Sequence, residues 1–199
     1  MRRLLRFLIY LLSLPLLIGT QSLTFAATSQ SAHLAEDSDS LIAHMQSMGA
    51  NVIFMRHAIA PGFGDPDNFQ IDDCSTQRNL SESGREQAKA IGVQFKRAGL
   101  SFSEIRSSQW CRCKETSELL DLGEWQTFSG LNSFFQGYAN RAETLAELEA
   151  YLRQLKPSDR VLLVTHQVVI SAITGISPSS GGLVLYNSQT SSALRWSNK

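Results

Sequence analysis

Arg56, His57, Arg112 and His166 have the residue types and the placement to do chemistry. Arg56 and His57 follow a short apolar run, Val52-Ile53-Phe54-Met55. His166 ends a second such run, Val161-Leu162-Leu163-Val164, with Thr165 between. Arg112 stands at the start of a helical pattern from Cys111 to Leu120. Continuous apolar runs rich in β-formers read as strands buried on both faces. In open α/β sheets, ligands bind outside the carboxyl ends of the strands. If these strands are neighbours, two guanidinium groups and two imidazoles converge, and the first turn of the Arg112 helix adds backbone donors. Such a cluster asks for an anion, because its charges otherwise repel. Arginine forks match phosphate oxygens. A neutral imidazole is a competent nucleophile, and nearby cations keep it unprotonated near neutral pH. Its second nitrogen needs a partner, commonly a backbone carbonyl. No metal or cofactor is called for.

The elements that must position these groups alternate. Leu41, Ile42, Met45 and Met48 fall at helical spacing before Gly49. A long loop with Pro61, Gly62, Gly64 and Pro66 runs from Ala60 to Asn79, and loops of this length usually have a job. A helix is predicted from about Ser83 to Ala98, with Ser83 and Glu86 at capping-box spacing. Then come a strand at Phe102 to Arg106, the helix from Cys111 to Leu120 and a strand at Trp125 to Phe128. A helix from Arg141 to Leu155 leads to the second apolar strand. A short helix from Val168 to Thr174 is stopped by Gly175, and strands at Leu183 to Tyr186 and Ala193 to Trp196 complete the order. This alternation predicts a three-layer α/β/α sandwich around a mostly parallel sheet.

The 199 residues are 43% hydrophobic and 18% charged, which suits one globular domain and excludes a disordered or polytopic membrane chain. A formal net charge of +0 offers no basic field for nucleic acid. Arg2, Arg3 and Arg6 precede an apolar stretch from Phe7 to Ile18, and Thr24-Phe25-Ala26-Ala27 follows. This reads as a secretory signal peptide over residues 1–26, the alternative being an uncleaved anchor. Residues 27–39 read as a flexible leader and 40–199 as the folded domain. The expected location is periplasmic or secreted, with no stable membrane span after cleavage. Export makes a disulfide plausible: Cys74 with Cys111 or Cys113, since adjacent C-x-C cysteines bridge poorly. Three reduced thiols, or a zinc site, are the alternatives. His33 and His44 have no motif around them and read as surface residues.

Four ordered segments carry a family resemblance. NVIFMRHA resembles the R-H strand of the histidine phosphatase superfamily, the phosphoglycerate-mutase-like proteins. QRNLSESGREQAKAIG resembles its L-[ST]-x-x-G-x-x-Q-A helix start, SSQWCRCKET its S-S-x-x-x-R-x-x-x-T segment, and VLLVTHQ its second histidine strand. The match runs from Asn51 to Gly175 and implies a phosphoglycerate-mutase-like fold. It implies His57 as the phosphorylated nucleophile, Arg56 and Arg112 as phosphoryl clamps, and His166 as the group stabilising transition-state charge. Ala58 replaces the usual Gly after the first histidine. Gln167 stands where the acid-phosphatase branch has its Asp donor, and Asn132 where the mutase-like branch would have an acid. The general acid is therefore open among Asp65, Asp67, Asp72, Asp73, Glu115 and Glu143.

The expected function is a metal-independent phosphatase in the cell envelope, acting on small or envelope-linked phosphate monoesters or phosphoramidates through phosphohistidine. A phosphorylated lipopolysaccharide sugar is one candidate substrate. The alternatives are a non-catalytic module of the same fold that binds phosphate or a partner, and a metal protein using His57, His166 and the C-x-C pair. Arg78, closing the long loop, would reach an anionic part of the substrate or lie on the surface. Phe63, Phe69, Phe134 and Phe135 would wall the pocket or, as expected, pack under loops. The oligomeric state is not encoded in any of these signals.

Overall fold

A computed structural model describes residues 41–196. The predicted signal peptide and leader lie outside these residues. The described residues form a single sheet of six strands: β1 (Val52–Arg56), β2 (Glu104–Ser107), β3 (Gln126–Thr127), β4 (Val161–Thr165), β5 (Leu183–Tyr186) and β6 (Ala193–Trp196). Their order across the sheet is β3-β2-β4-β1-β5-β6. The three pairings from β3 to β1 are parallel, and those of β5 with β1 and β6 are antiparallel. The last two strands reverse because the segment after Gly175 returns the chain to the carboxyl end of β1, where Leu183 lies opposite Met55.

The helices are α1 (residues 41–48), α2 (Glu82–Arg97), α3 (Cys111–Leu120), α4 (Arg141–Gln154) and α5 (Gln167–Thr174). Strand side chains alternate between faces, and the core divides accordingly. Ile53, Met55, Leu162 and Val164 pack with Leu41 of α1, Phe95 of α2 and Leu120 of α3. Val52, Phe54, Val161, Leu163 and Val184 pack on the other side with Leu148 and Leu152 of α4 and Val169 and Ile170 of α5. The predicted three layers follow from that alternation. Among the described residues no helix is long and apolar enough to cross a membrane.

One expectation changes in detail and another is narrowed. The cap of α2 is Ser81, whose side chain accepts from the Gly84 backbone N–H, rather than Ser83. The helix therefore starts earlier, because Ser81 also binds the Ile59 carbonyl and is held by the loop after β1. Cys74 and Cys111 form the disulfide, and Cys113 is free and buried. The bond ties the long loop to the first residue of α3, across a sequence separation of 37. Constraining the unfolded chain in this way is worth about 2–4 kcal/mol. A Cys74→Ser variant should lose about that much in urea unfolding, and a variant as stable as the wild type under oxidising conditions would refute it.

Candidate active site

Register brings the two histidines together. Arg56 lies opposite Thr165, and the His57 backbone N–H donates to the Thr165 carbonyl at 2.9 Å. The imidazole centroids are 5.4 Å apart, at an interplanar angle of 66°. Arg56, His57, Arg78, Arg112 and His166 all line one cleft of about 160 Å³ at the carboxyl edge of the sheet. Four of these residues come from segments predicted to converge; the fifth, Arg78, lies on the cleft rather than on the outer surface.

The His57 ring is buried, and its Nδ1 lies 2.8 Å from the Ala58 carbonyl. A carbonyl only accepts, so Nδ1 carries the hydrogen and Nε2 keeps its lone pair. The following loop is pinned by three contacts. Thr116 Oγ1 accepts from the Ala58 N–H and donates to the Arg112 carbonyl. Gln87 accepts from the Ile59 N–H and donates to the Ser180 carbonyl. Gly84 lets α2 approach so closely that a Cβ there would sit 2.1 Å from the Ile59 carbonyl oxygen. The motif residues of α2 thus hold the loop after His57 and line no part of the cleft themselves.

Arg112 is buried and bidentate on Asp65, with Nη1–Oδ1 2.7 Å and Nη2–Oδ2 3.0 Å. Its other Nη hydrogens go to the Arg78 carbonyl and to His166 Nδ1. All four Nη hydrogens are committed, which leaves Nε–H. That atom and Arg56 Nε are buried without hydrogen-bond partners among the described residues. Unpaired buried donors on a cleft invite an acceptor. Asp65 also accepts from Trp110 Nε1 and the Arg78 backbone N–H. Burial alone would raise the Asp65 pKa, but the hydrogen bonds and charge of Arg112 outweigh it and hold the carboxyl below its ordinary range.

His166 is oriented by a relay of side chains. Asn132 Oδ1 accepts from Ser108 Oγ and from the Gln109 N–H. Ser108 has given its only hydrogen, so it accepts from His166 Nε2–H at 2.9 Å. The proton therefore sits on Nε2, and Nδ1 faces Arg112. Asn132, conspicuous in the sequence as a missing acid, serves to fix this tautomer. Thr116, Ser108 and Gln87 were visible as motif letters, but their positioning roles depend on contacts that spacing does not encode.

Both histidines are held neutral: burial first, then the charge of Arg112, pushes each pKa well below the ordinary value. Three guanidiniums against one carboxylate leave the site two positive charges. Among the described residues no carboxylate lines the cleft. Asp65 is taken by Arg112, Glu115 pairs with Arg85, Asp73 caps a turn, and Glu143 binds Asn140. Of the aromatics, Phe63 and Phe135 line the cleft, contrary to the expected packing role, while Phe69 packs on Trp110 and Tyr138. Among the described residues no group of His, Cys, Asp and Glu has the arrangement to hold a metal.

No protein-family model matches the chain, and no curated protein matches its sequence. Solved structures do match it. The protein histidine phosphatase SixA complexed with tungstate aligns at a TM-score of 0.50 and 16% identity, over 73% of this chain and 94% of its own. A putative alpha-ribazole-5'-P phosphatase from Escherichia coli K-12 aligns at 0.53 and 15%, over 74% and 95%. TTHB049 from Thermus thermophilus aligns at 0.52 and 14%, over 73% and 98%. The chain has the phosphoglycerate-mutase-like fold. Its structural neighbours include histidine phosphatase superfamily members, and at these identities the likeness is one of fold.

Two outcomes test the site's electrostatics. Asp65→Asn leaves a buried guanidinium unpaired and should cost about 3–5 kcal/mol in urea unfolding; a loss below about 1 kcal/mol would show that the charge is solvated. His57 and His166 stay neutral in the folded state, whereas unfolded histidines gain protons below about pH 6.5. The unfolded chain then binds more protons, so stability should fall as pH drops from about 7.5 to about 5.5. Equal unfolding free energies at the two values would contradict neutral burial.

Proposed function

We propose that this protein is a metal-independent phosphatase that works through phosphohistidine at His57, in the cell envelope. The observation that carries the reading is the His57 ring: Nδ1–H is bound to the Ala58 carbonyl, Nε2 is unprotonated, and the surrounding cleft has two uncompensated positive charges. A phosphate monoester dianion matches that charge. Arg56 and Arg78, with the Nε of Arg112, would hold the phosphoryl oxygens. The tungstate in the SixA neighbour is a tetrahedral oxyanion of the kind such a cleft would take.

In the first step, the Nε2 lone pair of His57 forms the N–P bond, and the P–O bond to the leaving group breaks with its electron pair. The phosphoimidazolium keeps its Nδ1–H on Ala58. In the second step, water attacks phosphorus, the N–P bond returns its pair to Nε2, and the proton lost by water ends on the departed oxyanion. The guanidiniums supply the positive charge that the equatorial oxygens need. With no carboxylate among the described residues of the cleft, the leaving group departs with little protonation, a deficit worth about 10²–10⁴ in rate for an alkoxide. Aryl esters and phosphoramidates are therefore favoured over sugar phosphates such as those of lipopolysaccharide. Envelope location is supported by the N-terminal sequence and by the Cys74–Cys111 disulfide, a bond typical of oxidising compartments.

The test is hydrolysis of substituted phenyl phosphates with chelator present. Rates should fall steeply as the phenol pKa rises, and His57→Ala should lose more than about 10³-fold. Full activity in His57→Ala sinks the assignment. Thermal stabilisation by phosphate without turnover of any ester would instead identify an anion-binding module of the same fold.

A further inference from the structure

Five large hydrophobic side chains are exposed among the described residues, and two of them, Phe63 and Phe135, lie on the mouth of the cleft. Phe63 is 89% exposed and Phe135 37%. They touch each other edge to face, with centroids 5.0 Å apart at 84°. Two exposed rings side by side at the mouth of a cleft make an apolar patch of the kind that marks ligand-binding grooves.

The pair is held in place by built contacts. Phe63 comes from the long loop and Phe135 from the segment after Asn132. Gln136, at a φ of 63°, joins these two segments: its Oε1 accepts from the Asp65 N–H at 2.7 Å, and its Nε2 donates to the Asp65 carbonyl at 3.3 Å. Tyr138 adds a hydrogen bond to the Pro66 carbonyl at 2.9 Å. A non-glycine residue at positive φ is strained and persists only when its surroundings over-determine it. Gly64 makes room for the latch, since a Cβ there would sit 2.5 Å from Gln136 Oε1. The latch hangs on Asp65, the residue that neutralises Arg112, so the aromatic mouth and the cationic floor share one anchor.

We infer that Phe63 and Phe135 form a platform for the leaving group and select phosphate carried on a phenolic ring. The inference rests on the phosphatase reading and specifies its substrate class. Three features agree on it. The floor takes the phosphoryl dianion. The mouth offers two aromatic rings and the apolar side chain of Val168. The absence of a carboxylate among the described cleft residues suits a phenol, with a pKa of about 10, which leaves as its anion more readily than an alcohol. A cleft of about 160 Å³ is smaller than the roughly 300–1,000 Å³ of drug-sized sites, and suits a phosphoryl group with one ring.

The experiment compares wild type, Phe63→Ala and Phe135→Ala on phenyl phosphate, on sn-glycerol 3-phosphate and in vanadate inhibition. One aromatic contact is worth about 2- to 12-fold. Each variant should lose about that factor in kcat/KM on phenyl phosphate while vanadate inhibition stays unchanged, because the oxyanion sits on the floor. The wild type should prefer phenyl phosphate to the glycerol ester. Unchanged kcat/KM in both variants, a parallel loss of vanadate affinity, or equal rates on the two esters overturns the platform. A wild type that binds vanadate but hydrolyses neither ester overturns the phosphatase reading itself, which is a separate result. A phosphotyrosyl peptide forms a further arm. Turnover matching phenyl phosphate supports a phenolic phosphate on a polypeptide, and turnover of phenyl phosphate alone supports a small aryl ester.

Discussion

Burying a guanidinium beside two imidazoles leaves a charge that something must answer, and Asp65 answers it. The carboxylate takes Arg112 in a two-pronged pair, and Trp110 and the Arg78 backbone complete its hydrogen bonds. Removing one member of such a pair strands the other, so the pair is a point of dependence more than a source of net stability. Its arrangement also dictates which atoms remain for a ligand. The Nη hydrogens of Arg112 are spent on the protein, and its Nε–H, like Arg56 Nε, has no hydrogen-bond partner among the described residues. Burial and the same guanidinium charge keep both imidazoles neutral.

The loop after His57 is held as tightly as the arginine. Ala58 and Ile59 are bound by side chains from α3 and α2, and Gly84 allows the helix to come against them. These contacts let a short loop segment carry a ring whose tautomer matters. On the opposite side, Asn132 and Ser108 impose the tautomer of His166. The two imidazoles, 5.4 Å apart, therefore differ: both nitrogens of His166 are engaged, by Ser108 and Arg112, whereas His57 keeps an unprotonated Nε2.

A cationic floor with no free carboxylate among the described cleft residues sets the chemistry that can follow. Phosphoryl transfer to a neutral ring is well served by guanidiniums, while protonation of a poor leaving group is not. Phe63 and Phe135 stand at the mouth of the same cleft, and the proposed platform for a phenolic leaving group extends that logic outward. The Cys74–Cys111 bond braces the loop that bears Asp65 and Phe63 against the helix that bears Arg112.

Much of this was legible in the chain itself. The runs Val52 to Met55 and Val161 to Val164 announced buried strands because continuous apolar side chains have no solvated face to turn outward. Arg56, His57 and His166 could be placed at strand ends, and the order of four segments pointed to the fold. Periodicity says nothing about strand direction, so the reversal of β5 and β6 was invisible, and so was the cap at Ser81, which depends on the Ile59 carbonyl from a distant loop. Sequence alone determined which reactive groups exist and that they stand at the ends of strands, because local patterning decides element type. Only the tertiary structure decided that Asp65 neutralises Arg112, that Asn132 orients a histidine, and that two phenylalanines stand at the cleft mouth. Those outcomes are contacts between residues far apart along the chain, and their geometry is set by packing, which no spacing in the sequence records.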